Sequence, residues 1–348
     1  MQDVPNLVFV FGYGAIAFIL SMVLAPYVIT LLKKYKMGKT LRENATSGEV
    51  AKIFNLLHKK KEGVPTMGGV LIWGTVLVTV LVSRFLSFVG VIDQSILQRE
   101  QTYLPLFALV VTGILGLVDD WFNIKGIGKT KGLSVKPRVI LMTLFAVAGA
   151  WWFHYKLGWS EIHIPRVGDF DIGFWYMPLF VFIILAAANA VNITDGLDGL
   201  AGGLLVLAYM AFGIIAYFDG QLFLAGFCAV VVGALTGFLW FNVPPARFMM
   251  GDTGAIALGA TLGVIAMLTN SALMLAVIGG IFVIETLSSI IQLFSKKVFK
   301  RKVFKIAPFH HHLEAIGWSE STVVMRLWIL GAMLGVVGVI IAILGKGI

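Results

Sequence analysis

Cysteine and charge are both scarce in this chain, and each scarcity excludes a class of protein. A single cysteine, Cys228, occurs among the 348 residues, so no internal disulfide framework exists. Only 13% of the residues are charged and 59% are hydrophobic, and the mean hydropathy is +0.92. This composition excludes an ordinary soluble globule. Apolar runs of about 20 residues, the length that crosses a bilayer, predict an all-α integral membrane protein.

No soluble domain separates the apolar runs, so we expect one polytopic domain that covers residues 1–348. About ten transmembrane helices are predicted from the apolar runs. The third is expected to end at Leu117, and the ninth to run unbroken from Ala272 to Phe294. Residues 154–173 alternate polar and apolar side chains around Pro165, which predicts a small outer β-hairpin.

The basic residues are clustered rather than dispersed. Of the 27 Lys and Arg residues, nine lie between Lys33 and Lys61, five between Lys125 and Arg138, one at Arg247 and seven between Lys296 and Arg326. Clustering in short loops is the positive-inside signature, so these loops are expected in the cytoplasm and both chain ends outside. The loops lack interleaved aromatic residues, and we therefore expect no nucleic-acid partner.

The most informative stretch runs from Asn189 to Leu200, between two apolar runs. Carboxylates at membrane depth cost about 2.5 to 3.5 kcal/mol each, so idle acids are improbable there. Asn192, Asp195 and Asp198 are spaced by three residues and would share one face of a single helix. Glycines beside that face favour a hydrated cation and a phosphorylated ligand, although a polar helix cap is the plain alternative.

Other polar motifs allow two readings each. The basic stretch that ends at Lys61 is either a lipid-attracted cluster or a turn that brings cations to a phosphate. Asp119 and Asp120 point about 100° apart on a helix, so one can bind metal while the other supports it or receives a proton; two solvated acids are the alternative. Asp252 begins a helix, where it either caps the helix or marks an anion site.

Two features of the C-terminal third remain open. Glu285 lies at membrane depth in an apolar run, and we expect it to be paired inside the bundle with a partner that the sequence does not reveal. His310, His311 and His312 follow each other in the last basic loop. A zinc site is conceivable, but consecutive residues rarely all reach one ion.

Five motifs in one order carry a resemblance to a known family. The chain resembles the polyprenyl-phosphate N-acetylhexosamine-1-phosphate transferases and, through its histidine stretch, their phospho-N-acetylmuramoyl-pentapeptide transferase branch. The motifs are Lys61-Glu-Gly-Val-Pro-Thr-Met-Gly-Gly69, Asp119-Asp120, Asn189-Ala-Val-Asn192-Ile-Thr-Asp195-Gly-Leu-Asp198-Gly199, Met250-Gly-Asp252-Thr-Gly254 and Ala307-Pro-Phe-His310-His311-His312.

The resemblance implies transfer of phospho-MurNAc-pentapeptide from UDP-MurNAc-pentapeptide to undecaprenyl phosphate, which gives lipid I and UMP in peptidoglycan synthesis. It also implies Mg²⁺, a homodimer and a place in the bacterial inner membrane, with the active site facing the cytoplasm. A sibling enzyme that uses UDP-N-acetylglucosamine is the nearest alternative. An ion-coupled transporter would also place acids at broken helices, and it is the more distant alternative.

Carried to the matching positions, the family roles make Asp119, Asp120 and Asp252 catalytic, with Asp119 and Asp252 as metal ligands. The remaining site residues are expected to bind substrate: Lys61, Thr66, Lys131, Asn192, Asp195, Asp198, Phe248, Met249, His310, His311 and His312.

The chain departs from the family pattern twice. Val64 replaces a threonine, and the aromatic residue before Met250-Gly251-Asp252 is displaced by one position, to Phe248. We therefore expect Phe248 or Met249 to contact the uracil.

Overall fold

The chain folds into a helical bundle with one small hairpin. The computed structural model describes residues 3–38, 63–98, 101–126 and 135–347. The elements of these ranges are helices α1 Asp3–Lys34, α2 Gly69–Phe88, α3 Tyr103–Lys125 and α4 Val135–Trp151, strands β1 Glu161–Ile164 and β2 Gly168–Asp171, and helices α5 Tyr176–Thr194, α6 Leu200–Phe218, α7 Leu222–Asn242, α8 Asp252–Leu268, α9 Ala272–Ile278, α10 Gly280–Val298, α11 Phe309–Ala315 and α12 Glu320–Lys346.

The helices confirm an all-α membrane protein. Within the described ranges, eight helices are long and apolar enough to cross a membrane. The pair α9 and α10 makes up to a ninth span, and α8 is a shorter apolar helix. With both included, the bundle has about the ten apolar segments expected from their length.

The predicted hairpin is present within residues 154–173. Strands β1 and β2 are antiparallel, and Glu161 pairs with Asp171 while Ile164 pairs with Gly168. The backbone N–H of His163 donates to Asn270 Oδ1 at 3.0 Å. Asn270 is the second residue after α8, so the hairpin lies at the end of the bundle where α8 finishes.

Helix α8 is the centre of the bundle. Every residue from Thr253 to Leu268 is buried, and α8 packs against α2, α3, α5, α6 and α9. Its 17 residues extend for about 25 Å at the α-helical rise, so it reaches most of the way across a bilayer. Because protein surrounds α8, none of its faces meets water, and this explains why the helix is apolar all round.

Two expected boundaries are wrong. Helix α3 does not end at Leu117 but continues to Lys125, so Asp119 and Asp120 lie within it. The expected ninth span is broken: α9 ends at Ile278, and α10 leaves Gly279 at an angle of 80°. The apolar run was continuous in sequence, and its hydropathy alone gave no sign of the bend.

We predict that close approach of α5 and α8 depends on Gly259. A Cβ at this position would lie 2.6 Å from the Ala187 carbonyl oxygen, which is backbone and cannot rotate away. Gly259→Ala should lower the apparent thermal midpoint of the purified protein, because overpacking costs about 1–3 kcal/mol. Gly74→Ala is the control, since a Cβ at Gly74 meets nothing within 4 Å. Equal midpoints for the two variants would contradict this packing.

Candidate active site

The polar residues of the first two-thirds of the bundle gather around the N-terminus of α8. Helix α3 approaches so closely that a Cβ on Gly116 would collide with the backbone carbonyl of Asp252. The turn between α5 and α6 contacts the same end of α8, because Asp195 Oδ2 accepts a hydrogen bond from the Gly251 N–H at 3.1 Å. Three segments that are distant in sequence therefore meet at one point.

Two carboxylates from different helices converge on one cation. Arg138 Nη1, from the start of α4, lies 3.0 Å from Asp119 Oδ2 and 3.1 Å from Asp252 Oδ2. Asn192 Nδ2 donates to the other oxygen of Asp252 at 2.6 Å. The Asp119 side chain is 6% exposed and that of Asp252 24% exposed, so the guanidinium neutralises charge at the edge of a largely buried site.

Asp120 contacts a different partner from Asp119. Its Oδ2 accepts from the Thr253 N–H at 3.0 Å and from Thr253 Oγ1 at 2.7 Å. Free N–H groups and the positive end of the helix dipole both favour a carboxylate at a helix N-terminus. Asp120 therefore fixes the start of α8 relative to α3, while Asp119 faces the cation.

Asn192, Asp195 and Asp198 do not share one helix. Helix α5 ends at Thr194 and α6 begins at Leu200, so only Asn192 is helical. Gly199, the N-cap of α6, has a φ of +80°, a left-handed conformation that glycine adopts without strain.

Asp198 belongs to the turn and connects it to neighbouring segments. Its Oδ2 accepts from the Ala246 N–H at 3.0 Å, and its own N–H donates to Glu320 Oε1 at 2.8 Å. Asn192 therefore reaches Asp252 from the last turns of α5, Asp195 reaches Gly251 from the turn that follows, and Asp198 anchors that turn to neighbouring segments; the three do not form a helical stripe.

Thr66 is brought to the same place by backbone pairing. The Met249 N–H donates to the Pro65 carbonyl at 2.7 Å, and the Gly68 N–H donates to the Met249 carbonyl at 2.8 Å. A Cβ on Gly251 would lie 2.6 Å from Thr66 Oγ1 and 2.5 Å from Asp120 Oδ2. Lys61 and Lys131, also predicted here, lie outside the described residues.

The two residues expected to contact uracil differ in accessibility. Phe248 is fully buried, and its ring packs edge-on against Phe238 with centroids 4.8 Å apart. Met249 is partly buried. The structure therefore does not bring Phe248 to the surface of the site, and of the pair only Met249 has exposed atoms.

The three histidines lie on α11 and are oriented differently. His310 and His311 are buried, and the Nδ1 of each faces a carboxylate: Glu285 Oε2 at 2.9 Å and Glu314 Oε2 at 2.8 Å. His312 is partly buried, and its Nδ1 accepts from the Lys305 N–H at 3.2 Å. The partner of Glu285, which the sequence did not reveal, is therefore His310.

Comparison with known proteins gives one consistent result. The family profile of Glycosyl transferase family 4 matches residues 102–270, which include α3, α5 and the start of α8. Three similar proteins are each named phospho-N-acetylmuramoyl-pentapeptide-transferase. The relative from Geobacillus sp. (strain WCH70) is 38% identical over 94% of this chain and 96% of its own length.

The other two relatives agree with the first. The protein of Geobacillus thermodenitrificans (strain NG80-2) is 39% identical over 94% of this chain and 96% of its own length. The protein of Bacillus subtilis (strain 168) is 39% identical over 94% of this chain and 95% of its own length.

The chain belongs to the phospho-N-acetylmuramoyl-pentapeptide-transferase family. Membership of this transferase family confirms the resemblance found in the motifs. The apolar helices indicate a multi-pass membrane protein, and the named relatives are bacterial proteins.

Sequence reasoning missed three residues that this transferase-family chain places at the site. In the sequence, Arg138 is one charge of a basic loop. Its place just after Pro137 and before an apolar run could have indicated a cation at the start of a membrane helix. Thr253 was read only as part of a motif. Glu320 accepts a hydrogen bond from the Asp198 N–H, more than a hundred residues away in sequence, and no local sequence pattern predicts such a contact.

We predict that Arg138 stabilises the site when no metal is added. Arg138→Gln removes the counter-charge between Asp119 and Asp252, and the loss should be about 1–3 kcal/mol, between values for surface and buried pairs. The apparent thermal midpoint in EDTA should therefore fall. Arg84→Gln, an exposed arginine of α2, is the matched control. Midpoints that agree for both variants would show that the bridge contributes nothing.

Proposed function

We propose that this chain transfers phospho-MurNAc-pentapeptide from UDP-MurNAc-pentapeptide to undecaprenyl phosphate, with lipid I and UMP as products. The observation that carries the proposal is the convergence of Asp119 and Asp252 on one cationic nitrogen beside the N-terminus of α8. Phosphoryl transfer between two anionic substrates needs charge neutralisation and alignment more than covalent chemistry from the protein.

The described residues fit Mg²⁺. Asp119 Oδ2 and Asp252 Oδ2 already reach a common cation in Arg138 Nη1, at 3.0 and 3.1 Å. Among the described residues no group of three or more His, Cys, Asp or Glu side chains could hold a metal ion. Mg²⁺ needs no such cage, because it is usually held by one or two carboxylates plus waters and substrate phosphates. When bound by Asp119 and Asp252, it would neutralise phosphate charge.

The protein's own groups divide the remaining work. Asp119 is proposed to activate the attacking phosphate of the lipid, and Asn192 holds the Asp252 carboxylate by its amide at 2.6 Å. Asp120 keeps α8 in place through Thr253. The other site residues are proposed to bind the UDP-sugar: Thr66, Lys61, Lys131, Asp195, Asp198, Met249 and the α11 histidines.

The site is proposed to face the cytoplasm of the bacterial inner membrane, and the protein to be a homodimer. Lys33 and Lys34 lie in the last turn of α1, and Lys296 and Lys297 lie in the last turn of α10. The positive-inside rule expects such basic residues at cytoplasmic helix ends. The α11 histidines lie between α10 and α12 in sequence. A soluble nucleotide substrate and a lipid phosphate can both reach an acidic cluster at a membrane surface.

The alternatives have less support. A transferase for UDP-N-acetylglucosamine would use the same acids, but the named relatives are pentapeptide transferases. An ion-coupled transporter would place its acids near the bilayer midplane. Here Asp119, Asp195 and Asp252 gather at one end of α8, which itself extends toward the hairpin.

We predict that the orientation can be read by cysteine labelling. A cysteine at Lys300 should be protected from an impermeant thiol reagent in intact cells, while one at Asp169 in the hairpin should react; both positions are exposed. The native Cys228 is buried and should give little background. Labelling of the Lys300 position from outside would reverse the proposed topology.

We predict that purified protein releases UMP from UDP-MurNAc-pentapeptide and undecaprenyl phosphate, and much less from UDP-N-acetylglucosamine. Asp119→Asn and Asp252→Asn should each lower kcat by about 10²-fold or more, as loss of a positioned charge does. Asp169→Asn, in the hairpin, is the control. Magnesium binding should weaken in Asp252→Asn when measured by titration without substrate. Magnesium affinity equal to that of the parent would remove Asp252 as a ligand.

A further inference from the structure

Glu285 is the most deeply buried acid among the described residues. Its side chain is 0% exposed, and it lies in the first half of α10, six residues after the 80° bend at Gly279. Burying a carboxylate without partners is costly, so its contacts indicate why it is tolerated. Both of its oxygens accept from the His310 N–H at 3.2 Å, and Oε2 also lies 2.9 Å from His310 Nδ1.

These contacts do two different things. His310 is the second residue of α11, and Pro308 at the N-cap offers no side-chain cap, so the His310 N–H is one of the free donors of that helix start. Glu285 satisfies it and thereby fixes α11 against α10. The contact with Nδ1 is separate, because it fixes the ring itself.

The ring contact determines which nitrogen carries the proton. A carboxylate that accepts at Nδ1 keeps the proton on Nδ1 in the neutral ring and leaves Nε2 with its lone pair. Only the state of Nε2 then changes if the ring gains a proton. A carboxylate behind one ring nitrogen is the usual arrangement where the other nitrogen does the work, as in metal-binding histidines.

His310 Nε2 is directed at the turn that carries Asp195. It is buried and has no hydrogen-bond partner among the described residues. A Cβ on Gly196 would collide with it, so the turn can pass over this nitrogen only because residue 196 is glycine. Asp195, the next residue back, accepts from the Gly251 N–H at the start of α8.

We propose that Glu285 is a positioning residue of the transfer reaction, which selects the Nδ1-protonated form of His310 and holds Nε2 against the Asp195–Asp198 turn. The inference rests on the proposed function, since that turn is where the UDP-sugar is proposed to bind. Contacts run from Glu285 through His310 and Gly196 to Asp195, and from there to Gly251 beside Asp252. Glu285 acts through His310 and does not touch the reacting atoms.

The first experiment reads the ring directly. Nitrogen-15 NMR of histidine-labelled protein in detergent distinguishes protonated from unprotonated ring nitrogens, and the spectrum of His310→Asn identifies the His310 signals. In the neutral ring of the parent, the proton should lie on Nδ1 and none on Nε2. Glu285→Gln replaces one oxygen by an amide donor and removes the negative charge that favours a proton on Nδ1, so the fraction of neutral rings with the proton on Nε2 should rise. A neutral parent ring with its proton on Nε2 and none on Nδ1 would overturn the proposal.

The second experiment separates positioning from a purely structural cap. His310→Asn retains an amide donor where Nδ1 is, so the bond to Glu285 persists, but it has no atom at Nε2. We expect kcat to fall at least tenfold in both Glu285→Gln and His310→Asn, with the thermal midpoint of His310→Asn near that of the parent. In the double variant, Glu285→Gln should change kcat less than twofold further, because the two residues act as one unit.

The outcomes are distinguishable. Parental kcat in His310→Asn, or losses that multiply in the double variant, would overturn the role of Glu285 while the transferase activity stands. A parent that releases no UMP would refute the proposed function. The NMR experiment does not depend on that activity, so it tests the protonated nitrogen of His310 independently. Glu161→Gln, an exposed glutamate of β1, is the matched control and should leave kcat unchanged.

Discussion

The free N–H groups at the start of α8 are the feature on which the site depends. Asp120 approaches them from α3 by bonding Thr253, and Asp195 approaches from the α5–α6 turn by bonding Gly251. Asp252 is itself the first residue of the helix. Because a helix N-terminus carries partial positive charge, it gathers acids that would otherwise repel one another. Arg138 adds a positive charge that faces both Asp119 and Asp252.

This arrangement requires small residues, since the segments that carry the acids must come within backbone contact of α8. Side chains at Gly116 and Gly69 would collide with the backbone of Asp252 and Gly254, respectively. Helix packing in a bilayer has no hydrophobic driving force between helices, so close van der Waals contact at small residues must supply much of the association. The same glycines therefore both hold the bundle together and bring the acids into reach.

The sequence predicted the class, the hairpin and the approximate number of spans, because each depends on local hydropathy and alternation. It did not predict the bend at Gly279, since the apolar run continues through it. The three-residue spacing of Asn192, Asp195 and Asp198 suggested a helical stripe, but α5 ends at Thr194, and Asp195 and Asp198 lie in the turn before α6.

Partners distant in sequence were the least predictable part of the site. Glu285 and His310 are 25 residues apart and meet only because α10 and α11 fold back on each other. Phe248 or Met249 was expected to contact the uracil, and of the two it is Phe248 that lies in the core, where its ring packs against Phe238. Neither outcome follows from composition or spacing, because each depends on which segments pack together.

The far end of α8 shows that charge is placed to suit the helix as a whole. Lys346 Nζ donates to the carbonyl of Thr269, the C-cap of α8, and to Asp219 Oδ2, both at 2.6 Å. A cation at the C-terminus and acids at the N-terminus both complement the helix dipole. At the hairpin end Lys346 contacts the C-cap of α8 and is itself paired with Asp219, whereas several acids share the other end. That excess of acid is held in place by backbone donors from Gly251 and Thr253, and it is the charge on which the proposed magnesium site depends.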